Sequence, residues 1–361
     1  MCLYKVREVD DRILDFAKLI VHTSTSMKRG DNVLIQISDS GLDLATEIFK
    51  ETVRVGASPL IITTPSEATR SFFEIADEKT MNTMPKHYFE LIKASDVIIS
   101  LRSELNTRTL SNTDPKKISL RSKALRELRN ERLRKRWCLT QYPTSGYAQD
   151  AEMSLKEYQD FVYSAILIDW TEQIKIMERL KDIMDKTDEV QISGINTDLT
   201  MSIKGRNTVV GGPTNNVPGG EVFTAPVDDS AEGEIFFDLP AVVYGKSVEG
   251  IKLRFEKGEI VDYSANRNQD LLKNMIETDD GSRRLGELGI GTNYGIKKYT
   301  KNILFDEKIG DTIHLAIGRA YKECGGINES AIHWDMIKTM KPGSIVMDGS
   351  VIQENGRFFW E

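Results

Sequence analysis

Of the four histidines in this 361-residue chain, two stand near acids at offsets that a regular backbone turns into shared faces. In Ser330-Ala-Ile-His-Trp-Asp-Met-Ile337 apolar and polar residues alternate, which suits a strand. Side chains two apart then leave the same face, so His333 and Asp335 would converge. Such a pair can ligate a divalent metal, or be an ordinary pair on an edge strand. Asp311-Thr-Ile-His-Leu-Ala-Ile-Gly-Arg-Ala-Tyr321 reads as a helix. His314 and Tyr321, seven apart, would then lie on one face about two turns from each other. That spacing can bring a ligand and a phenol into one pocket, or simply bury two satisfied core groups.

Two glutamates stand in unusual surroundings. Glu221 follows Gly219 and Gly220, between Pro218 and Pro226. The glycines permit rare backbone angles and the prolines stiffen the flanks, so the loop can present one carboxylate to a hard cation or form a tight turn with an exposed acid. Glu287 sits where a charged stretch passes into apolar residues with Gly289, Gly291 and Gly295, a setting that draws an acid inward.

Missing motifs narrow the chemistry. There is no H-E-x-x-H, no phosphate-binding loop ending in Gly-Lys-Ser/Thr, and no G-x-S-x-G elbow. Gly289, Gly291 and Gly295 lack the G-x-G-x-x-G spacing. Cys2, Cys138 and Cys324 are far apart and odd in number, which argues against a disulfide framework or a thiolate zinc site. Any metal is therefore expected on oxygen and nitrogen. The net charge of −7 disfavours a general polyanion binder. With no secretory leader pattern or spanning apolar run, the reading is cytoplasmic, with no membrane and no nucleic acid as partner.

The elements that would position these residues fall into two sets. In the first, helix signals at Ile13 to Val21, Leu44 to Val53 and before Ala94 alternate with short apolar runs at Val33 to Ile37, Leu60 to Ile62, Val97 to Ser100 and Cys138 to Thr140. That alternation predicts a parallel sheet covered on both faces. Lys116 to Arg136 carries ten basic residues against Glu127 and Glu131 and reads as one amphipathic basic helix. It is either a solvated face or a surface for an acidic partner. Ser154 and Glu157 form a capping box, and a helix at Gln173 to Lys186 closes the set. The boundary is placed there, giving an α/β domain over 1–187 and a largely antiparallel α+β domain over 188–361. Strands at Val190 to Ser193, Ile235 to Leu239, Val242 to Tyr244, Ile251 to Phe255 and Ile260 to Tyr263 define the second, with a Lys257-Gly258 turn.

Four segments in this order resemble the thermophilic-type metallo-aminopeptidases, the family of aminopeptidases T and S: Pro218-Gly-Gly-Glu-Val-Phe-Thr-Ala-Pro226, Asp280-Gly-Ser-Arg-Arg-Leu-Gly-Glu287, Leu304-Phe-Asp-Glu with His314-Leu-Ala-Ile-Gly318 and Tyr321, and His333-Trp-Asp335. Arg136-Trp137, Tyr142-Pro143-Thr144, Tyr147-Ala-Gln149 and Met153-Ser-Leu155 extend the resemblance into the first domain. It implies a two-metal site with Glu221, Glu287, His314, His333 and Asp335 as ligands and Tyr321 as an active-site phenol; a catalytic, bridging position for Glu287 is a further expectation from two-metal chemistry. It further implies zinc, cobalt or manganese as the pair of divalent ions, short peptides with a free N-terminus as substrates, and a homodimer. Asp238, Asp311 and Glu232 are acids available to support the imidazoles. The competing expectations are a two-metal hydrolase of another small amide or ester, and a non-enzymatic module acting through the basic helix.

Overall fold

The alternation of helical and extended runs in the first half yields a parallel sheet. A computed structural model describes residues 10–243 and 245–360. By its contacts the chain divides into two compact units, one ending at Leu167 and taking in Pro213–Val217, the other formed by Ile168–Gly212 and the chain from Pro218 onward.

In the first unit β1 (Asn32–Ile37), β2 (Ser58–Thr63), β3 (Val97–Arg102) and β4 (Arg136–Gln141) pair in the order β2-β1-β3-β4, all parallel, with Asn216–Val217 added beside β4. Both alternate positions of β1 and β3 are buried, as continuous apolar runs in a doubly covered sheet require. The capping box forms: Ser154 Oγ accepts from Glu157 N and the Glu157 carboxylate accepts from Ser154 N.

The basic stretch is not one helix. It breaks at Leu125 into Pro115–Ala124 and Arg126–Leu133, and Arg136 already belongs to β4. Several of its cations serve the unit itself. Lys117 and Arg121 donate to the carbonyls of Phe73 and of Met81 and Thr83, Arg132 lies over the Trp137 ring, and Arg136 pairs with Asp31 at 2.5 Å.

In the second unit the helix Trp170–Met184, capped by Asp169, packs Met177, Leu180 and Met184 into the core formed downstream, so this unit takes in the helix that precedes residue 188. Eight antiparallel strands form one sheet in the order 259–264, 251–256, 232–237, 197–202, 189–194, 343–347, 350–354, 357–358. Lys257 and Gly258, both at positive φ, make the tight hairpin turn read from sequence. The expected strand near Val242 spans Ala241–Val243; Tyr244 lies outside the described residues, as does Cys2.

A second, five-stranded sheet is fully antiparallel, its strands lying side by side in chain order. Its strands are β5 (Val209–Gly211), β6 (Glu221–Thr224), β7 (Leu285–Gly291), β8 (Thr312–Gly318) and β9 (His333–Thr339). One continuous apolar core holds residues of both sheets, among them Ile192, Leu253 and Phe255 from the larger and Ile290, Leu315 and Met336 from the smaller. At about 1.5–3 kcal/mol for each large side chain fully buried, this core is what fixes the smaller sheet in place.

Candidate metal centre

Register sorts the five-stranded sheet into two faces. Directly paired residues of antiparallel strands project to the same side, and residues two apart share it. Gly291 pairs with Glu221, Gly289 with His314, Ala316 with Asp335, and Gly318 with His333. Glu287, two before Gly289, pairs with Ala316 across a bulge. Glu221, Glu287, His314, His333 and Asp335 therefore emerge on one face. Val222, Leu288, Ile290, Ile313, Leu315, Ile317, Trp334 and Met336 alternate to the other and enter the core.

Each site residue stands opposite a small one. A Cβ on Gly289 would lie 2.0 Å from His314 Nε2, and one on Gly211, which pairs with Glu221, would lie 2.5 Å from Glu221 Cγ. Side chains of ordinary size at these positions would fill the space into which the ligating groups fold. Gly220, at φ +118°, turns the chain into β6 where a Cβ would meet Asn293 Cβ at 2.4 Å.

His314 belongs to a strand, not a helix. All seven residues of β8 are buried, so its two faces read together as a single apolar run and hide the period of two. Tyr321 follows the strand's end, before the short turn Lys322–Cys324, and its ring centroid lies 4.9 Å from that of His333. The two meet by the chain's return, not by helical spacing.

Two overlapping groups result: Glu221, Glu287 and His314, and Glu287, His333 and Asp335, each with its donor atoms within 4.8 Å of one another. His314 Nε2 lies 3.4 Å from Glu287 Oε1 and 3.6 Å from Glu221 Oε2. His333 Nε2 lies 3.0 Å from Glu287 Oε2 and 3.6 Å from Asp335 Oδ1. One oxygen of Glu287 thus serves each histidine.

Burial alone would push both imidazoles down, but the surrounding carboxylates outweigh it. Glu287 and Glu221 hold His314 up at about 9, and Asp335 and Glu287 hold His333 up at about 11. Burial raises the Glu221 carboxyl despite Lys308 beside it. Burial opposes ionisation of Glu287 and Asp335 too, yet the histidines keep both below the ordinary range. Burial and the nearby carboxylates raise the Tyr321 phenol, so it stays protonated and able to donate.

The donor set fits a cation. His333 Nδ1–H donates to the Arg319 carbonyl at 2.7 Å, which turns the lone pair of Nε2 toward two carboxylates. Without an added proton or cation there, three acceptors face one another; a metal ion resolves the conflict, and a backbone partner on the far nitrogen is the usual support of a ligating imidazole. The acids read as available for that support are engaged elsewhere. Asp238 accepts from Thr339, Glu232 accepts from Lys257 N, and Asp311 pairs with Lys341. No hydrogen-bond partner is found for His314 Nδ1 among the described residues.

Sequence reasoning missed Lys308, which is fully buried with Nζ 3.3 Å from Glu221 Oε1 and in contact with Glu307. Burial would lower its pKa, but Glu221 and Glu307 raise it, so it is a fixed cation. Only its place in the Asp306-Glu-Lys308 charge run, inside an otherwise apolar stretch, offered a signal.

A cavity of about 390 Å³ adjoins His333 and Asp335, walled by Pro240, Val243, Tyr299, Trp334 and neighbours. A larger one, about 820 Å³, lies at the carboxyl ends of β1 to β3 in the first unit, where parallel sheets commonly bind ligands. Among its lining cations, Arg70 pairs with Glu67 and Glu74, Arg108 pairs with Asp150, and Lys117 donates to the Phe73 carbonyl.

Residues 9–358 match the thermophilic metalloprotease (M29) family, and the chain belongs to that family. Among its relatives, aminopeptidase 2 of Geobacillus stearothermophilus is 26% identical over 375 residues, covering 89% of this chain and 90% of the relative. Aminopeptidase T of Thermus thermophilus is 24% identical over 388 residues, covering 94% of each. The solved structure of wild-type AmpT from Thermus thermophilus matches the fold with a TM-score of 0.86 at 22% identity, covering 97% of this chain and 99% of that one. A 2,5-dihydroxypyridine dioxygenase from Pseudomonas putida KT2440 matches at 0.62 and 12% identity, covering 98% and 99%. A fold shared with a protein named for a different reaction leaves the chemistry to the site.

Proposed function

We propose that this chain is a metal-dependent aminopeptidase that releases N-terminal amino acids from short peptides, with Glu221, Glu287, His314, His333 and Asp335 holding two divalent ions. The observation that carries the reading is the division of Glu287 between two three-residue groups, one oxygen toward His314 and the other toward His333. Glu221 and His314 complete one group, His333 and Asp335 the other. Divalent ions held by these residues would supply an activated water near neutral pH and an electrophile for the scissile carbonyl.

The remaining work falls to the protein. Glu287, shared by both groups, sets their spacing. Tyr321, protonated and packed against His333, donates a hydrogen bond to the developing oxyanion, a contribution of about 3–4 kcal/mol in comparable sites. The 390 Å³ cavity beside His333 and Asp335 has room for the substrate residue next to the scissile bond. Oxygen-rich ligation with two imidazoles suits zinc, cobalt or manganese. The free, buried Cys138 and Cys324 accord with a cytoplasmic location, and among the described residues no helix is long and apolar enough to cross a membrane. A homodimer is the assembly that the family resemblance favours.

Leucine release from leucyl p-nitroanilide tests the reading. Activity should vanish on thorough chelation and return with zinc or cobalt; activity that survives chelation removes the metal from the mechanism. Release that ignores N-acetylation of the substrate would instead identify a hydrolase of other amides or esters.

A further inference from the structure

Lys308 is the only described lysine that is completely buried and touches a group of the metal centre. Water cannot screen its charge, and the fold surrounds it with two carboxylates. Its Nζ lies 3.3 Å from Oε1 of Glu221, while Oε2 of the same carboxylate lies 3.6 Å from His314 Nε2. The two oxygens of Glu221 therefore have different neighbours, a cation on one side and the candidate metal position on the other.

The backbone keeps this arrangement rigid. Lys308 N donates to Phe305 O at 3.0 Å, and Lys308 O accepts from Asn293 N at 2.9 Å. Asn293 Nδ2 donates in turn to Gly219 O at 3.0 Å, and Thr292 N donates to Gly220 O at 2.8 Å. The loop that delivers Glu221 and the segment that delivers Lys308 are thus hydrogen-bonded to one connection, so neither can move without the other.

Charge points the same way. Lys308 Nζ stands against the carboxyl groups of Glu221 and Glu307, beside a centre whose other acids are Glu287 and Asp335.

Resting on the two-metal reading above, we infer that Lys308 is a positioning residue that occupies Oε1 of Glu221 and leaves Oε2 alone to bind the ion shared with His314 and Glu287. It holds Glu221 in a one-oxygen ligation and sets the charge of that half of the centre. The half built on His333 and Asp335 does not depend on it.

The experiment is a stepwise zinc titration of the full, metal-stripped chain against a chromophoric chelator, for the parent and for Lys308→Met, which keeps length and removes charge. The parent binds two ions. In the variant one step weakens by about 10–100-fold, the usual effect of losing a partner that orients a ligand, and the other step is unchanged. A general structural role would weaken both steps together. Two unchanged steps, or two equally weakened ones, overturn the inference while leaving the two-metal reading intact; a parent that takes up no divalent ion overturns both. Should Lys308→Met not fold, a crystal structure of the zinc-loaded parent decides. Glu221 bound through Oε2 with Oε1 still on Lys308 Nζ supports the inference, and bidentate Glu221 or a displaced Lys308 refutes it.

Discussion

Gly289→Ala makes the dependence of the centre on backbone space measurable. Position 289 pairs with His314, and an added Cβ would stand 2.0 Å from Nε2, 2.1 Å from Cε1 and 2.8 Å from Cδ2 of that ring. Ordinary contact begins at 3.4 Å, so the ring must withdraw along most of its exposed edge. The strands cannot yield instead, since every residue of β7 and β8 is buried and their opposite face is core. Overpacking of this kind costs about 1–3 kcal/mol. At about 2–4 °C per kcal/mol for a unit of this size, the melting temperature should fall by about 2–12 °C with the fold retained. A displacement of about 1 Å in a ligating group costs on the order of 100-fold in rate. The assay pairs differential scanning calorimetry with zinc affinity and leucyl p-nitroanilide turnover. Gly212→Ala, where an added Cβ meets nothing within 4 Å, is the control and should behave as the parent. A Gly289→Ala protein with parental affinity and turnover would refute the claim that the glycine exists to admit the imidazole.

Metal loading should release protons. In the metal-free protein His314 titrates at about 9 and His333 at about 11, so both carry protons at neutral pH, and ligation requires both neutral. Calorimetry in buffers of different ionisation enthalpy should count up to two protons released per chain, and a count of zero refutes the assignment. Because these pKa values are raised, the stability they give the metal-free fold is complete below about 6.5 and is lost as pH climbs through about 9 and then 11. Apparent metal affinity should rise over the same range. Burial pushes the Cys138 and Cys324 thiols up to about 12, so neither should react with a disulfide reagent at mildly alkaline pH until denaturant is added. Rapid labelling of either in the native protein would contradict the packing described.

Legibility in the sequence followed exposure. Where strands face core on one side and the site on the other, as at β9, alternation survives and the convergence of His333 with Asp335 can be read directly. Where both faces are closed, as at β8, the alternation disappears and a strand looks like a helix; His314 and Tyr321 were linked for the wrong geometric reason. The N-terminal strands were legible because short apolar runs between helices have few other uses. Lys308 was hidden because a lysine in a charge run ordinarily points to water, and only tertiary packing buries it. The support of His333 comes from the Arg319 carbonyl, and a backbone carbonyl leaves no mark in side-chain chemistry. The glycines after Glu287 were visible but not interpretable until register set Gly289 against His314.

β9 lies at the rim of the smaller sheet, hydrogen-bonded to β8 on one side only, whereas β6, β7 and β8 each have a neighbour on both. The face that gathers the ligands is therefore built to two standards of permanence. Glu221, Glu287 and His314 are anchored in the interior of the ladder and can leave their places only if the sheet parts. His333 and Asp335 ride on a border strand, whose peeling breaks one ladder where loss of an interior strand breaks two. On the two-metal reading, an ion held by His333 and Asp335 would therefore exchange faster than one held by Glu221 and His314.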